Sequence, residues 1–299
     1  MEAAAPAGQS EQRSHPPRGS EQRSRRVWIM AARPRTLAAS IAPVIAGTAV
    51  AARAGAMRPV VALLALLSSL CIQIGTNLAN DYSDFKRGAD AERVGPLRVT
   101  QSGLVPPERV KRAAWLAFSA AMALGVALAL LSGWPIVVIG LASVAAGWLY
   151  TGGPWPLGYH GLGDLFVFLF FGLVATCGTA YAQALVVPRS AWIAGAAVGA
   201  LATAILVVNN LRDRATDAKV GKNTLAVKLG PTLTRVEYVL LLAAGFTLPL
   251  FIGRPWPLLA LPLAIPPLRR VLREDGAALN PALGETGRLL LAVSVLLWL

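Results

Sequence analysis

The chain has 299 residues, of which 55% are hydrophobic and only 14% are charged. Soluble globular domains usually carry about 25% charged residues. The composition therefore excludes an ordinary water-soluble domain and, for most of the chain, disorder, which requires few apolar residues. The net charge is +13, and the two Cys and two His are too few for a disulfide framework or a zinc site.

Nine apolar segments separated by charged loops predict a membrane protein. A helix needs roughly 20 apolar residues to cross about 30 Å of hydrocarbon. The first six segments fit this requirement, the seventh is marginal and the last two are short. No strand-like alternation extends over a useful length, so the predicted fold class is all-α. In chain order, the segments cover residues 36–52, 59–80, 113–131, 135–151, 165–187, 191–211, 238–253, 256–268 and 289–299.

The distribution of charged residues along the chain predicts the domain organisation and the membrane topology. Residues 1–27 are basic and have no long apolar run, which predicts a disordered tail, and residues 28–299 predict one intramembrane domain. With the N-terminus inside, 24 of the 28 Lys and Arg lie in the tail and loops of one side. By the positive-inside rule that side is cytoplasmic, so we expect a multi-pass protein of the cell's inner membrane and no nucleic-acid partner.

A cluster of polar side chains follows the second apolar segment. Asn77, Asp81 and Asp84 are spaced i, i+4 and i+7, and they share one face if the helix continues. Asp90 follows in the loop. This cluster is expected at the cytoplasmic end of its helix, where hydrocarbon meets water.

A similar cluster follows the sixth segment. Asn210, Asp213 and Asp217 are spaced i, i+3 and i+7, so they also share a helical face. For a single Asp, a solvated charge at a helix end is an ordinary interpretation. Two matched segments of this composition indicate a site instead.

Carboxylates at helical spacing repel one another unless a cation lies between them. Ligand sets made only of oxygen favour hard ions, and Mg²⁺ typically takes one or two carboxylates and completes its shell with water and phosphate. The two clusters therefore predict a site for a Mg²⁺-bound organic diphosphate. Four basic side chains near the clusters are candidates to contact phosphate directly, namely Lys86, Arg98, Arg212 and Lys222.

Two further side chains have open assignments. Asp164 is the only acid in a loop without Lys or Arg, and it either contributes to the site or caps the fifth helix. The ring of Tyr150 either faces a developing cation or anchors the helix end at the interface.

With these motifs in place, the chain resembles the UbiA-type intramembrane prenyltransferases, which have aspartate-rich segments after their second and sixth helices. The resemblance is greatest to the branch that acts on 1,4-dihydroxy-2-naphthoate. In the general pattern a third Asp often stands where this chain has Gly88, and here the acid is Asp90, as in that branch. The motifs that carry the resemblance are Ala-Arg-Pro-Arg-Thr-Leu (32–37), Asn-Asp-Tyr-Ser-Asp (80–84), Arg-Val-Gly-Pro-Leu-Arg (93–98), Leu-Tyr-Thr-Gly-Gly (149–153), Gly-Tyr-His-Gly-Leu-Gly-Asp (158–164) and Asn-Asn-Leu-Arg-Asp (209–213).

The resemblance implies transfer of a polyprenyl group from polyprenyl diphosphate to 1,4-dihydroxy-2-naphthoate, with loss of CO₂ and diphosphate, giving demethylmenaquinone. It implies about nine helices around a central cavity that opens to the cytoplasm and laterally to lipid. It also implies that Mg²⁺ is held by Asp81, Asp84, Asp90, Asp213 and Asp217. The substrate-binding residues expected around them are Asn77, Asn80, Lys86, Arg98, Tyr150, Asp164, Asn210, Arg212 and Lys222.

Two alternatives stay open at this point. Another acceptor, such as 4-hydroxybenzoate, would keep the same family and donor chemistry. A transporter for an anion or a divalent cation is the alternative from a different class, but transporters usually place their site near the bilayer midplane, whereas these acids lie at helix ends. Prenyl length and oligomeric state are left open.

Overall fold

The computed structural model describes residues 18–89 and 94–299, with side chains from residue 25 onward in those ranges. Every regular element in this part of the chain is helical, which confirms the all-α prediction. Three helices begin at a proline, where the missing N–H needs no partner. The helices are α1 Arg18–Ala32, α2 Ala38–Arg53, α3 Pro59–Lys86, α4 Pro107–Ser132, α5 Pro135–Leu149, α6 Gly163–Ala184, α7 Arg189–Lys219, α8 Leu225–Thr247, α9 Leu261–Arg273 and α10 Asn280–Leu296.

The prediction of a disordered tail through residue 27 is wrong from Arg18 onward, where α1 begins. The helix has a packing surface, because Val27 and Ala31 lie against an apolar cluster that includes Leu78 and Val99. The segment Arg25–Thr36 meets α2 at a bend of 52°. Residues 1–17 lie outside the described residues.

Five helical segments of the described chain are long and apolar enough to span a membrane. They are α3, α4, α6, α7 and Leu225–Ile252, in which α8 continues as a 3₁₀ turn. The bent segment before α2 forms a sixth span if it is counted together with that helix, whereas α5 has only 15 residues. The chain is a polytopic membrane protein, and the count of nine crossings stays a prediction.

The structure corrects the predicted bounds near the C-terminus. Helix α10 begins at Asn280, although the apolar segment was expected from residue 289. Glu285 forms an ion pair with Arg270 at 3.3 Å, so charged residues interrupt the apolar pattern without interrupting the helix. Similarly, α8 begins well before residue 238 and is kinked at Gly230.

Helix α7 is the central helix of the bundle. In its most apolar window 78% of the residues are buried, against 22–33% in the other four spans. It packs against α2, α6, α8 and α10, and its buried face is rich in Ala and Gly. Small side chains allow helices to approach closely inside a membrane, so this composition suits a helix surrounded by others.

The closest approach to α7 is made by α6. A Cβ atom added at Gly172 would stand 2.5 Å from the Cα atom of Gly199 and 2.7 Å from the carbonyl oxygen of Gly195. Real Cβ atoms do not come so close to backbone atoms. The two helices are therefore in direct backbone contact at this point.

Replacing Gly172 by Ala is expected to lower the apparent Tm of the detergent-purified protein, because overpacking typically costs about 1–3 kcal/mol. Gly125→Ala in α4 is the matched control, since nothing lies within 4 Å of its added Cβ and Ala favours helix. Thermal unfolding followed by size-exclusion chromatography compares the two variants. An equal Tm for both would contradict the close contact.

Candidate functional site

Side chains from both aspartate-containing segments line one cavity of about 170 Å³, here called the polar cavity. Helix α3 contributes Asn77, Asn80 and Asp84, and helix α7 contributes Asn209 and Asn210. Both helices continue beyond their apolar stretch. Of the two predicted faces, Asn77, Asp84 and Asn210 line the cavity. Asp81, Asp213 and Asp217 do not. The structure thus brings the two segments together.

The loops between helices complete the polar cavity with basic and aromatic side chains. Arg98, Tyr150 and Lys222 all line it, and substrate binding by these three residues stays a prediction. Asp84 and Asp217 repel each other electrostatically, and the Tyr150 hydroxyl lies within the field of both carboxylates. The wall of the cavity therefore combines the Asp84 carboxylate with two cationic groups, and Asp217 interacts with Asp84 without lining the cavity.

Asp84 has a strong hydrogen-bond partner on each carboxylate oxygen. The Arg98 guanidinium donates to Oδ2 at 2.9 Å, and the Tyr159 hydroxyl donates to Oδ1 at 2.9 Å. Both Asp84 and Arg98 are buried. Charge-assisted bonds of this kind are roughly twice as strong as neutral ones, so they hold Asp84 at the cavity wall.

Asp81 has a different position from its neighbour one turn away. Its two carboxylate oxygens accept the backbone N–H groups of Val99 and Thr100, each at 3.2 Å. It is buried and is absent from the wall of the polar cavity. Asp81 therefore attaches the segment that carries Arg98 to α3, and this support positions Arg98 against Asp84.

The two aspartates of the second cluster, Asp213 and Asp217 in α7, also differ in their partners. Both oxygens of Asp213 are bound by the Arg212 guanidinium, at 2.8 and 2.6 Å. Asp217 forms a longer ion pair with Lys222 at 3.5 Å. Its Oδ2 atom is buried and has no hydrogen-bond partner among the described residues. Asp217 is thus the carboxylate with an oxygen available for a further ligand.

Tyr159 joins the two segments on the loop side of the cavity. Its hydroxyl binds Asp84, and its ring lies between Arg87 and Lys222, whose cationic groups are 5.4 and 5.6 Å from the ring centre. Its carbonyl oxygen accepts the backbone N–H of Asn223 at 3.0 Å. The loop that follows α5 therefore spans from the end of α3 to the end of α7.

Two glycines of this loop enclose Tyr150. A Cβ at Gly163 would stand 2.8 Å from the Tyr150 hydroxyl, and one at Gly158 would stand 3.2 Å from its ring. Larger residues at these positions would displace the ring. The packing of this one aromatic side chain thereby explains the glycines at positions 158 and 163.

Lys86 and Asp164 were also predicted as site residues, and neither lines the polar cavity. Lys86 is exposed and its ammonium group lies 5.9 Å from the ring centre of Tyr82, away from the polar cavity. Asp164 is buried, interacts electrostatically with Tyr150 and does not line the cavity. Asp90 lies outside the described residues.

The polar cavity is also lined by residues that were not predicted as site residues, among them Gln73 and Arg33. Gln73 is an amide inside an apolar segment, and Arg33 stands at the bend before α2. The signal for Gln73 was its polarity within a hydrophobic span. Arg33 belongs to the Ala-Arg-Pro-Arg-Thr-Leu motif. Because it is far along the chain from both acidic clusters, the sequence did not indicate that it lines the same cavity.

The donor set of the polar cavity fits a hard divalent cation. Among the described residues, no group of three or more Asp, Glu, His or Cys side chains comes together in a form that could hold a metal ion. Mg²⁺ needs only one or two carboxylates when water and phosphate complete its shell. Asp84 lines the cavity. Asp217, whose Oδ2 atom has no hydrogen-bond partner in the described chain, interacts electrostatically with Asp84 but does not itself line the cavity.

Comparison with known proteins gives the family of this chain. Residues 40–275 match the UbiA prenyltransferase family. A relative from Mycobacterium tuberculosis, named 1,4-dihydroxy-2-naphthoate octaprenyltransferase, is 46% identical over 91% of this chain and 93% of its own length. A relative of the same name from Escherichia coli is 38% identical, with 87% and 89% covered.

A solved structure supports the same conclusion at the level of the fold. The helical arrangement is similar to that of a UbiA homologue from Archaeoglobus fulgidus bound to GPP and Mg²⁺. The TM-score is 0.63 at 16% identity, and the match covers 90% of this chain and 98% of the other. The extent of the sequence match and the shared fold lead to one conclusion: the chain belongs to the UbiA prenyltransferase family.

Proposed function

We propose that this protein transfers a polyprenyl group from polyprenyl diphosphate to 1,4-dihydroxy-2-naphthoate, with release of diphosphate and CO₂. The observation that carries the proposal is the polar cavity, where both aspartate-containing segments meet Arg98 and Lys222. Five bacterial relatives, 37–46% identical to this chain, bear the name of this activity. The product would be the reduced form of demethylmenaquinone.

The diphosphate end of the donor fits the charged wall of the polar cavity. Asp84 and Asp217 are the residues that would hold Mg²⁺, and the Asn80 and Asn210 amides line the same cavity as Asp84. The bound ion supplies positive charge that stabilises the departing diphosphate. Lys222 and Arg98 add fixed positive charge from the protein itself, where water is largely excluded.

The prenyl tail has a separate, apolar place among the helices. An apolar cavity of about 80 Å³ shares Tyr150 and Phe171 with the polar cavity. A further cavity of about 100 Å³ shares Ile72 and Ala175 with the first. A tail lying along this path would stay out of water, which favours it in proportion to its apolar area.

The reaction needs one bond broken on each substrate and one bond formed between them. The allylic C–O bond breaks and its electron pair leaves with diphosphate. The ring carbon that bears the carboxylate then attacks the allylic carbon, and loss of CO₂ returns an electron pair to the ring. The Tyr150 ring lines both the polar cavity and the apolar cavity next to it, where its face can stabilise the developing cation.

The charge distribution supports a cytoplasmic site. Arg98, Arg212 and Lys222 belong to loops or helix ends on the side that carries 24 of the 28 Lys and Arg. The positive-inside rule assigns that side to the cytoplasm. We therefore place the polar cavity at the cytoplasmic face of the bacterial inner membrane.

The direct test is an assay with purified protein, Mg²⁺, 1,4-dihydroxy-2-naphthoate and prenyl diphosphates of several lengths. We expect a product whose mass equals the acceptor plus the prenyl group minus CO₂, measured by mass spectrometry. 4-Hydroxybenzoate in parallel reactions is the control acceptor. Prenylated hydroxybenzoate without a naphthoate product would contradict the acceptor proposed.

Asp84→Asn and Asp217→Asn are each expected to lower kcat about 100-fold or more, because each removes a negative charge that would hold the ion at the diphosphate. Asp275→Asn is the matched control, since that exposed carboxylate pairs with Arg235 outside the site and such pairs contribute about 0–1 kcal/mol. Initial rates with both substrates saturating compare the variants. More than a tenth of wild-type kcat in either site variant would remove that residue from the proposed role.

Chelation of divalent ions should stop the reaction. With EDTA in excess we expect no prenyl transfer, and titration with Mg²⁺ should restore it, because the carboxylates cannot bind an anionic diphosphate without a cation between them. EDTA saturated with Mg²⁺ beforehand controls for effects on the detergent or the protein. Undiminished turnover in EDTA would contradict the metal requirement.

A further inference from the structure

A groove of about 510 Å³ lies between α10 and the turn Pro34–Thr36 that precedes α2, and it is here called the outer groove. Pro34, Arg35 and Ala38 form one side, and the face of α10 between Asn280 and Leu291 forms the other. Within the described chain, no residue lines both the outer groove and the polar cavity. The outer groove is therefore a separate place for a ligand.

Two arginines give the outer groove its charge. Arg35 and Arg288 both line it, and both are exposed. Neither forms an ion pair with an acidic side chain in the part of the chain that the structure describes. Glu285 also belongs to the wall, but its Oε1 atom pairs with Arg270 at 3.3 Å and its Oε2 atom is buried. The groove therefore presents two guanidinium groups without a carboxylate partner, which favours an anionic ligand.

The face of α10 that lines the outer groove changes from polar to apolar along the helix. Gly284, Arg288 and Leu291 are spaced i, i+4 and i+7, so they share one face. Val295 follows four residues after Leu291 on that face, and it is 53% exposed. A cationic group followed by exposed apolar side chains matches the order of headgroup and hydrocarbon in a membrane leaflet.

Two glycines of α10 show where the outer groove is open. A Cβ atom added at Gly287 would stand 3.6 Å from the Ala38 Cβ atom and from the Arg35 carbonyl oxygen, so α10 touches α2 and the preceding turn there. A Cβ atom added at Gly284 would have no heavy atom of another element of the described chain within 4 Å. The groove is therefore open beside Gly284, and a larger side chain at that position would extend into it.

The outer groove lies at the same end of the bundle as the polar cavity. Thr36, next to Arg35 in the chain, lines the polar cavity. At the start of α10, the Asn280 Oδ1 atom accepts a hydrogen bond from the Arg212 guanidinium at 3.1 Å. The tail, loops and helix ends on this side carry 24 of the 28 Lys and Arg. Basic pockets between helices at such a surface bind anionic lipid headgroups.

We propose that the outer groove binds one anionic phospholipid of the surrounding bilayer. Arg35 and Arg288 bind its phosphate, and one acyl chain runs along the apolar end of the α10 face. Guanidinium groups bind phosphate through two parallel hydrogen bonds, and the acyl chain stays in contact with apolar surface. The lipid contacts both sides of the groove and so holds α10 against the turn before α2. Lipid binding here is independent of the proposed prenyl transfer.

The first arm of the test compares headgroups. Purified protein stripped of lipid in detergent is titrated with phosphatidylglycerol or with phosphatidylcholine of the same acyl chains, and bound lipid is measured by native mass spectrometry. Both lipids carry a phosphate, but only phosphatidylglycerol has a net negative charge. We expect phosphatidylglycerol to bind about tenfold more tightly, because a choline cation would be repelled by the two guanidinium groups.

The second arm changes one arginine. Arg288→Gln is expected to raise Kd for phosphatidylglycerol about tenfold, as expected for loss of a charged hydrogen bond. Arg288→Lys should recover part of the affinity because it restores the charge but not the two-pronged geometry. Arg269→Gln is the matched control, since Arg269 is exposed on α9 and lies outside the outer groove. Arg35 is left unchanged because it also lines a cavity next to the polar cavity.

The third arm fills the outer groove without changing its charge. Gly284→Leu is expected to abolish binding of phosphatidylglycerol, whereas Gly284→Ala should retain it, because only the longer side chain reaches into the space of the ligand. A ligand that binds only the folded state stabilises it. Phosphatidylglycerol should therefore raise the apparent Tm of wild type and of Gly284→Ala but not of Gly284→Leu. The Tm without added lipid reports whether each variant is folded, and the Arg288 variants carry the test if Gly284→Leu is not.

Four results would each overturn the lipid site. Equal affinity of wild type for the two lipids would exclude selection of an anionic headgroup, and wild-type affinity in Arg288→Gln would exclude the arginine contact. Displacement of phosphatidylglycerol by an equal concentration of inorganic phosphate would identify a site for a soluble anion. An oligomer that Gly284→Leu converts to a monomer, measured by light scattering, would identify a contact between two copies of the chain. All binding is measured without prenyl substrates, so failure of the lipid site and failure of the proposed function are read separately.

Discussion

The arrangement of the site depends on how buried carboxylates are balanced at the ends of two apolar helices. An ionised carboxylate taken out of water is costly unless it is paired and hydrogen-bonded. Each aspartate here meets that requirement differently, because Asp84 binds Arg98 and Tyr159, Asp213 binds Arg212, and Asp81 binds backbone amides. Asp217 and Asp164 each keep a buried Oδ2 atom without a hydrogen bond in the described chain. Removing one partner of a buried pair is strongly destabilising, so these contacts also hold the loops in place.

The loops around the polar cavity are shaped by the same acids. Asp81 and Asp84 hold the segment that contains Arg98, and Tyr159 extends from Asp84 toward the loop after α7. The carboxylates therefore organise the surface that encloses them. In the function proposed here they would serve both the fold and the chemistry.

Helical spacing predicted the face of the aspartates but not their partners. Asp81 and Asp84 were assigned one role from sequence, yet one binds backbone N–H groups and the other lines the cavity. The partners Arg98, Val99 and Thr100 lie 14 to 19 residues further along the chain. No local sequence pattern reaches over that separation. Hydropathy located the apolar helices but not α1 or the start of α10. The polar helix α1 is held by the packing of its few apolar residues, and the charged start of α10 is held by an ion pair. Proximity in sequence also does not predict the direction of a side chain. Lys86 lies beside an acidic cluster in sequence and still points outward.

The contact between Gly172 and Gly199 has a consequence for how the molecule can move. Helix α6 carries Phe170 and Phe171 of the apolar cavity, and α7 carries Asn209 and Asn210 of the polar cavity. At this point no side chain lies between the two backbones that could slide or repack, so we expect these helices to move together. The distance between the apolar cavity and the polar cavity is then fixed by these two helices. Any opening that admits or releases a ligand must come from the other walls.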